Sequence, residues 1–289
     1  MRRLFLSVLL LASACTSDNK GGADGEAETG GEGSAGDPGS GDDGMADGGD
    51  DATGDDGGDD GTGDDGGEGP EAGVISLETR DGVTLVADYA PVGASGPAIV
   101  LLHMIPPHWD RTSYPADFIA TLNAEGWTVL NVDRRGSGDS GGTPEDAYDG
   151  PNGKWDAEAA VQQLTEDGFG PIGIVGASNG TTTALDYAVW SAGDGASEGA
   201  TPVSWLVFMT GGTYTESQFR VERADTVPVL FTFSTEERGW SVGQEEHNTG
   251  AWSFEEYADG DHGTKMFDTS HAAEITGDIV TFAQGAFGG

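Results

Sequence analysis

Two segments, Pro97–Leu102 and Trp127–Val132, are apolar on both faces, and strands that bury both faces belong inside a parallel sheet. Parallel neighbours need a crossover, and the chain between them supplies one. Tyr114–Glu125 carries Phe118, Ile119 and Leu122 on one helical stripe, with Pro115 near its start and Gly126 after its end. The alternation continues with a helix around Trp155–Leu164, a strand at Ile172–Val175 and a helix at Thr181–Trp190. Strands at Val203–Met209, Pro228–Phe233 and Trp252–Tyr257 and a last helix near His271–Phe287 complete it. Upstream, Val74–Thr79 and Val83–Tyr89 flank Asp81-Gly82, a hairpin signal. The expectation is a three-layer α/β domain whose mostly parallel sheet is opened by an antiparallel hairpin.

Composition bounds that domain. The chain has 289 residues, and 51 Asp+Glu against 12 Lys+Arg give a net charge of -39, which argues against a nucleic-acid partner bound through basic patches. Residues 18–71 hold 19 acidic side chains, one lysine (Lys20) and no apolar side chain larger than Met45. Such a segment buries too little surface to offset its ordering entropy, so 15–72 reads as a disordered tether with an r.m.s. reach of about 40 Å. Its Asp-Gly repeats lack the alternating ligands and closing Glu of an EF-hand loop, leaving weak, non-specific calcium binding as the expectation. The folding unit is 73–289.

Met1-Arg2-Arg3 followed by the apolar run Leu4–Ala14 reads as a signal peptide over 1–14, too short to span a bilayer. Ala12-Ser13-Ala14 before Cys15, the sole cysteine, resembles the lipobox of bacterial lipoproteins, with Ala12 where the usual Leu would stand. That resemblance implies lipidation of Cys15 and anchoring in a lipid bilayer of the cell envelope. Thr16, where an Asp would retain some lipoproteins in the inner membrane, points to the outer one. The alternative is an ordinary signal peptide cut after Ala14, which leaves a free thiol in an oxidising compartment.

Two glycine motifs compete for the chemistry. Gly136-Ser137-Gly138-Asp139-Ser140-Gly141 matches the dinucleotide fingerprint, but the chain then runs through Gly142, Pro144, Gly150 and Pro151, with no helix expected to receive a pyrophosphate. Gly176-Ala177-Ser178-Asn179-Gly180 matches G-x-S-x-G and lies between an apolar strand and a helical run, the setting a nucleophilic serine requires. A serine needs a base oriented by a carboxylate. Asp259-Gly260-Asp261-His262-Gly263 puts His262 on a loop before the last helix, a better placement than those of His103, His108, His247 or His271. The strand at Pro228–Phe233 runs into Ser234-Thr235-Glu236-Glu237, so either glutamate is a candidate acid.

With Leu101-Leu102-His103-Met104 and Asp133-Arg134-Arg135-Gly136-Ser137-Gly138-Asp139-Ser140, the body resembles the α/β-hydrolase superfamily over most of 74–287. The resemblance implies that the N–H groups of Met104 and Asn179 form an oxyanion hole, and that the glycine-rich loop is scaffold. It also points to Glu237 over Glu236, because the family's acid commonly lies three residues beyond the position of Ser234. The short link between Val203–Met209 and Pro228–Phe233 leaves no room for a cap domain, a layout similar to the dienelactone-hydrolase-like and small-esterase branch. Ile105–Ser113 and Gly142–Lys154 are left as rim loops, with Trp109 and Trp155 either lining a pocket or packing as ordinary aromatics.

The sequence thus leads to a secreted, lipid-anchored serine hydrolase acting on small acyl esters through Ser178, His262 and Glu237, with no cofactor or metal implied. Hydrolysis of peptides or other acyl groups by the same triad is one alternative. A non-catalytic surface-binding lipoprotein on the same fold is another. Replacing Cys15 with Ser is expected to move the protein from the membrane pellet to the soluble fraction on cell fractionation; a variant that stays in the pellet contradicts lipidation.

Overall fold

The computed structural model describes residues 69–288 apart from 150, 212–220, 226 and 249–250. The expected signal segment, Cys15 and the tether up to residue 68 lie outside the described residues. The hairpin forms from β1 (Gly73–Glu78) and β2 (Thr84–Ala90), paired antiparallel, with Gly82 at φ +81° in the turn between them. β3 (Gly96–Leu102), α1 (Ala116–Ala124) and β4 (Thr128–Val132) follow as one parallel crossover unit. A short α2 (Pro144–Tyr148) precedes α3 (Lys154–Glu166), β5 (Phe169–Ala177), α4 (Gly180–Ala192) and β6 (Trp205–Met209). The chain ends with β7 (Val229–Ser234), a four-residue α5 (Arg238–Ser241), β8 (Trp252–Tyr257) and α6 (Ala272–Phe287).

The eight strands order as β1-β2-β4-β3-β5-β6-β7-β8, parallel except at β2, which runs antiparallel to both β1 and β4. Both faces are covered, as the apolar runs require. Val100, Leu102, Ile174 and Phe208 pack with α3 and α4, while Ile99, Leu101, Val175 and Val207 pack with α1 and α6. Chain order reverses at β3, whose neighbours are β4 and β5, and a crevice beyond the carboxyl ends of the strands opens at such a reversal. The Tyr114 hydroxyl holds those ends together, 3.1 Å from the Leu102 carbonyl and 3.2 Å from that of Val175.

α2 corrects the sequence reading, which placed no helix in this stretch. The signals are present in retrospect: Thr143 Oγ1 accepts from the Asp146 N–H, Pro144 opens the helix and Glu145 and Asp146 fill its first turn. Trp155 lies on α3, where a helix around Trp155–Leu164 was expected. Its ring packs edge-on to Trp190 at 5.0 Å with Arg80 over it at 4.6 Å, so it is a packing aromatic.

The glycine-rich loop after β4 spends its N–H groups on the chain itself. Gly136 N–H donates to the Gly141 carbonyl, Gly141 N–H to that of Thr84, and Asp139 N–H to Asp133 Oδ2. A Cβ on Gly138 would stand 2.0 Å from the Asp133 carboxylate, which explains the glycine without any phosphate. Asp133, fully buried, also accepts from the Arg111 backbone N–H at 2.7 Å and pairs with the Arg111 guanidinium. Asp133→Ala is expected to lower stability by about 2–4 kcal/mol in urea unfolding, because it leaves the Arg111 and Asp139 N–H groups without their acceptor and removes the buried carboxylate among those that hold the Arg111 guanidinium. A change within 1 kcal/mol, to order of magnitude, would show that the loop is held by other contacts.

Candidate active site

β5 stops at Ala177 and the chain turns into α4 through Ser178, whose φ of +49° is unusual for a residue with a side chain. A backbone held there costs about 1–3 kcal/mol, offset by bonds that close the turn. Ser178 N–H donates to the Met209 carbonyl at 2.8 Å, and the Ser178 carbonyl accepts from the N–H and hydroxyl of Thr181. Both motif glycines are required sterically. A Cβ on Gly176 would come within 2.8 Å of the Gly180 carbonyl, and one on Gly180 within 2.3 Å of the Leu102 carbonyl. Glycine at these positions lets strand and helix cross closely enough to present the serine at the carboxyl end of β5, in the middle of the sheet.

His262 reaches the serine from the loop after β8. Asp259 and Asp261 both have positive φ, at +56° and +59°, so the loop is tightly wound. His262 Nε2 lies 2.6 Å from Ser178 Oγ, and Nδ1 lies 2.6 Å from Glu237 Oε1. With the carboxylate accepting at Nδ1, the ring carries its proton there and Nε2 is left to accept the serine hydroxyl. Glu237 sits on the 3-10 turn Thr235–Glu237 after β7; Glu236 beside it is exposed and does not contact the ring. An open cleft of about 370 Å³ is lined by Ser234, Glu236, Glu237, Asp259, Asp261 and His262.

The other histidines are placed elsewhere. His103 is fully buried: Nδ1 donates to the Met104 carbonyl, and Nε2 accepts from the Arg134 N–H at 2.8 Å. Burial first, then the Arg134 charge, pushes its pKa down from the usual 6.5 to about 3, so it is neutral. His271 caps the start of α6 and bonds Glu274 and the Ala258 carbonyl. His108 is exposed, and His247 ends the 3-10 turn Val242–His247.

Met104 and Asn179 stand at the ends of β3 and β5, and among the described residues no hydrogen bond uses the N–H of either. α4 begins beside them with no acidic side chain in its first turn, so the positive end of its dipole is uncancelled. Three contributors escaped the sequence reading. Gly263 stands where a Cβ would meet Met104 Sδ at 2.5 Å and Ser178 Cβ at 3.4 Å. Thr210 Oγ1 accepts from the Gly263 N–H at 3.1 Å. Arg134 donates to the Asn179 side chain at 3.0 Å. Gly263 adjoins the histidine and was recognisable in principle; nothing local marks the other two. Trp109 is partly buried, with Lys265 Nζ 5.4 Å from its ring centre.

No family model matches the chain, and no curated protein does. Solved structures do. The esterase Pf2001 of Pyrococcus furiosus is 18% identical with a TM-score of 0.59, covering 75% of this chain and 91% of its own. The α/β hydrolase GrgF from Penicillium sp. sh18 is 13% identical with a TM-score of 0.60, covering 76% and 100%. The esterase EaEST from Exiguobacterium antarcticum is 15% identical with a TM-score of 0.55, covering 72% and 98%. At these identities the likeness establishes the α/β-hydrolase fold, and the chemistry has to be argued from the site.

The neutral, buried His103 makes stability depend on pH. Between pH 6.5 and 3 the unfolded chain binds a proton that the folded chain does not, so stability falls as pH falls through this window. The loss is about 2 kcal/mol by pH 5, above the range where carboxylates such as Asp81, held low by Arg135, begin to contribute. Urea unfolding at pH 7, 6 and 5 is expected to show this decline in the parent and a flatter profile in His103→Gln; parallel profiles would contradict a neutral His103.

Proposed function

We propose that the chain is a serine hydrolase that cleaves small carboxylic esters through an acyl-enzyme. In this reading His262 Nε2 takes the proton of Ser178 as Oγ attacks the ester carbonyl, and the N–H groups of Met104 and Asn179 bind the resulting oxyanion. The tetrahedral adduct collapses as the proton on Nε2 passes to the departing alcohol, leaving Ser178 acylated. Water, deprotonated by His262, attacks the acyl carbon and releases the carboxylic acid, returning the proton to Ser178. Glu237 holds the imidazole in the required tautomer and balances its charge while it is protonated.

The observation that carries this reading is the continuous relay at 2.6 Å from Glu237 to His262 and from His262 to Ser178, on a serine held in an unfavourable backbone conformation. Ser178 shares its positive φ with Thr210, Asp259 and Asp261, which stand on the segments that meet at the relay, and strained backbone gathered at one place argues for a functional constraint over a packing one. The short link between β6 and β7 supports the substrate class. Only residues 210–228 separate Met209 from Val229, too few for an inserted helical domain, so small or protruding acyl groups fit best, as in the dienelactone-hydrolase-like branch. The enzyme is proposed to be secreted and held at the outer membrane by lipidated Cys15, with 15–72 as spacer; this part rests on the sequence alone.

Steady-state hydrolysis of p-nitrophenyl acetate and butyrate tests the assignment. Ser178→Ala is expected to lose activity by about 10⁴-fold or more, and Glu237→Gln by about 10²–10⁴-fold in kcat. Glu236→Gln should stay within about twofold. Parent-level hydrolysis by folded Ser178→Ala would refute the mechanism, and a larger loss in Glu236→Gln than in Glu237→Gln would reassign the acid.

A further inference from the structure

Arg134 occupies the variable position between the Asp and the second Arg of the loop motif, and its side chain is fully buried. Among the described residues no carboxylate oxygen contacts it. Its Nη1 donates to the carbonyls of His103 and Met104 at 3.3 and 3.2 Å. Nη2 lies 3.0 Å from the Ala147 carbonyl, 3.0 Å from Asn179 Oδ1 and 2.9 Å from Thr183 Oγ1. Burial lowers its pKa to about 10, which still leaves the group protonated at neutral pH. The guanidinium is hydrogen-bonded only by neutral oxygens, with Asp156 acting on it through space, and in a medium of low dielectric its field on those oxygens is strong.

The pattern of acceptors touches both halves of the proposed oxyanion hole. A trans peptide points its C=O and N–H in opposite directions, so binding the His103 carbonyl fixes the plane that carries the Met104 N–H and turns that N–H away from Arg134. Polarising the carbonyl also makes the N–H a better donor. On the other side, Asn179 is of a type that usually caps its helix through Oδ1, yet here it makes no side-chain cap bond and gives Oδ1 to Arg134.

We infer that Arg134 is a positioning residue for the oxyanion hole, locking the Met104 and Asn179 N–H groups in the orientation that receives the negative oxygen. This inference rests on the acyl-transfer reading. The family-like arginine of the loop, Arg135, has a separate task, binding Asp156 and Asp81 away from these donors.

The test compares the full-length parent with Arg134→Met, Arg134→Lys and Thr183→Val in three measurements. These are kcat and KM on p-nitrophenyl acetate, inhibition by an aliphatic trifluoromethyl ketone whose adduct with Ser178 places an oxyanion in the hole, and the thermal midpoint. Arg134→Met is expected to lower kcat by about 100-fold with KM within about threefold, and to weaken the ketone by a similar factor. Arg134→Lys should restore part of both losses. A folded Arg134→Met with kcat within about threefold of the parent overturns the inference, as does a kcat loss without a matching loss of ketone affinity. If Arg134→Met does not fold, Thr183→Val decides, since it removes one oxygen that holds the guanidinium. A drop of about threefold or more in both kcat and ketone affinity supports the inference, and unchanged values overturn it. A folded parent that neither hydrolyses the ester nor binds the ketone overturns the acyl-transfer reading as well, whereas the variant outcomes bear on Arg134 alone.

Discussion

The turn at Ser178 governs the geometry around it. A serine at φ +49° between β5 and α4 exists only because Gly176 and Gly180 let the helix pass under the carbonyls of Leu102 and His103. That close approach brings the end of β3, which runs into Met104, against the start of α4 beside Ser178 and Asn179. The same constraint extends to the third contributing loop. Gly263, beside the Ser178 Cβ and the Met104 sulfur, has to be a glycine for His262 to reach Oγ. Three glycine-dependent close approaches, at Gly176, Gly180 and Gly263, position one hydroxyl.

Electrostatics supply the second layer. In a chain of net charge -39, three of the seven arginines after residue 72, Arg111, Arg134 and Arg135, hold the backbone around the loop that follows β4. Arg111 ties Asp133 to Asp88 and Asp139, and Arg135 ties Asp156 to Asp81. These pairs neutralise carboxylates under the loop that follows β4. Arg134 differs from them in spending its charge on peptide carbonyls and neutral side chains, and it lies against the groups that would bind an oxyanion. The acidic cleft lined by Glu237, His262, Asp259 and Asp261 lies at the opposite end of the relay.

Much of this was legible in the amino-acid sequence because it depends on local pattern. Two-faced apolar runs separated by helical stripes specify parallel strands, and all eight strands appear within a few residues of their expected ends. G-x-S-x-G between a strand and a helix, and a histidine on the loop before the last helix, are local features too. The residues alone left Glu236 and Glu237 equivalent, since both follow β7 and only the 3-10 turn at Thr235–Glu237 determines which carboxylate faces the ring. α2 was missed because its five residues carry no apolar period, although its capping signals were present. The roles of Arg134 and Thr210 are invisible locally, because each acts across more than forty positions of sequence, through Asn179 and Gly263 respectively.

The central claim is that Ser178 is an activated nucleophile rather than a strained turn residue. Intact-mass spectrometry of the folded chain after exposure to a fluorophosphonate, followed by peptide mapping, addresses this directly. The account predicts one adduct per chain, located on the peptide that contains Ser178 and absent from His262→Ala. A folded parent that takes up no adduct, or that carries it on another serine such as Ser137 or Ser234, would contradict it.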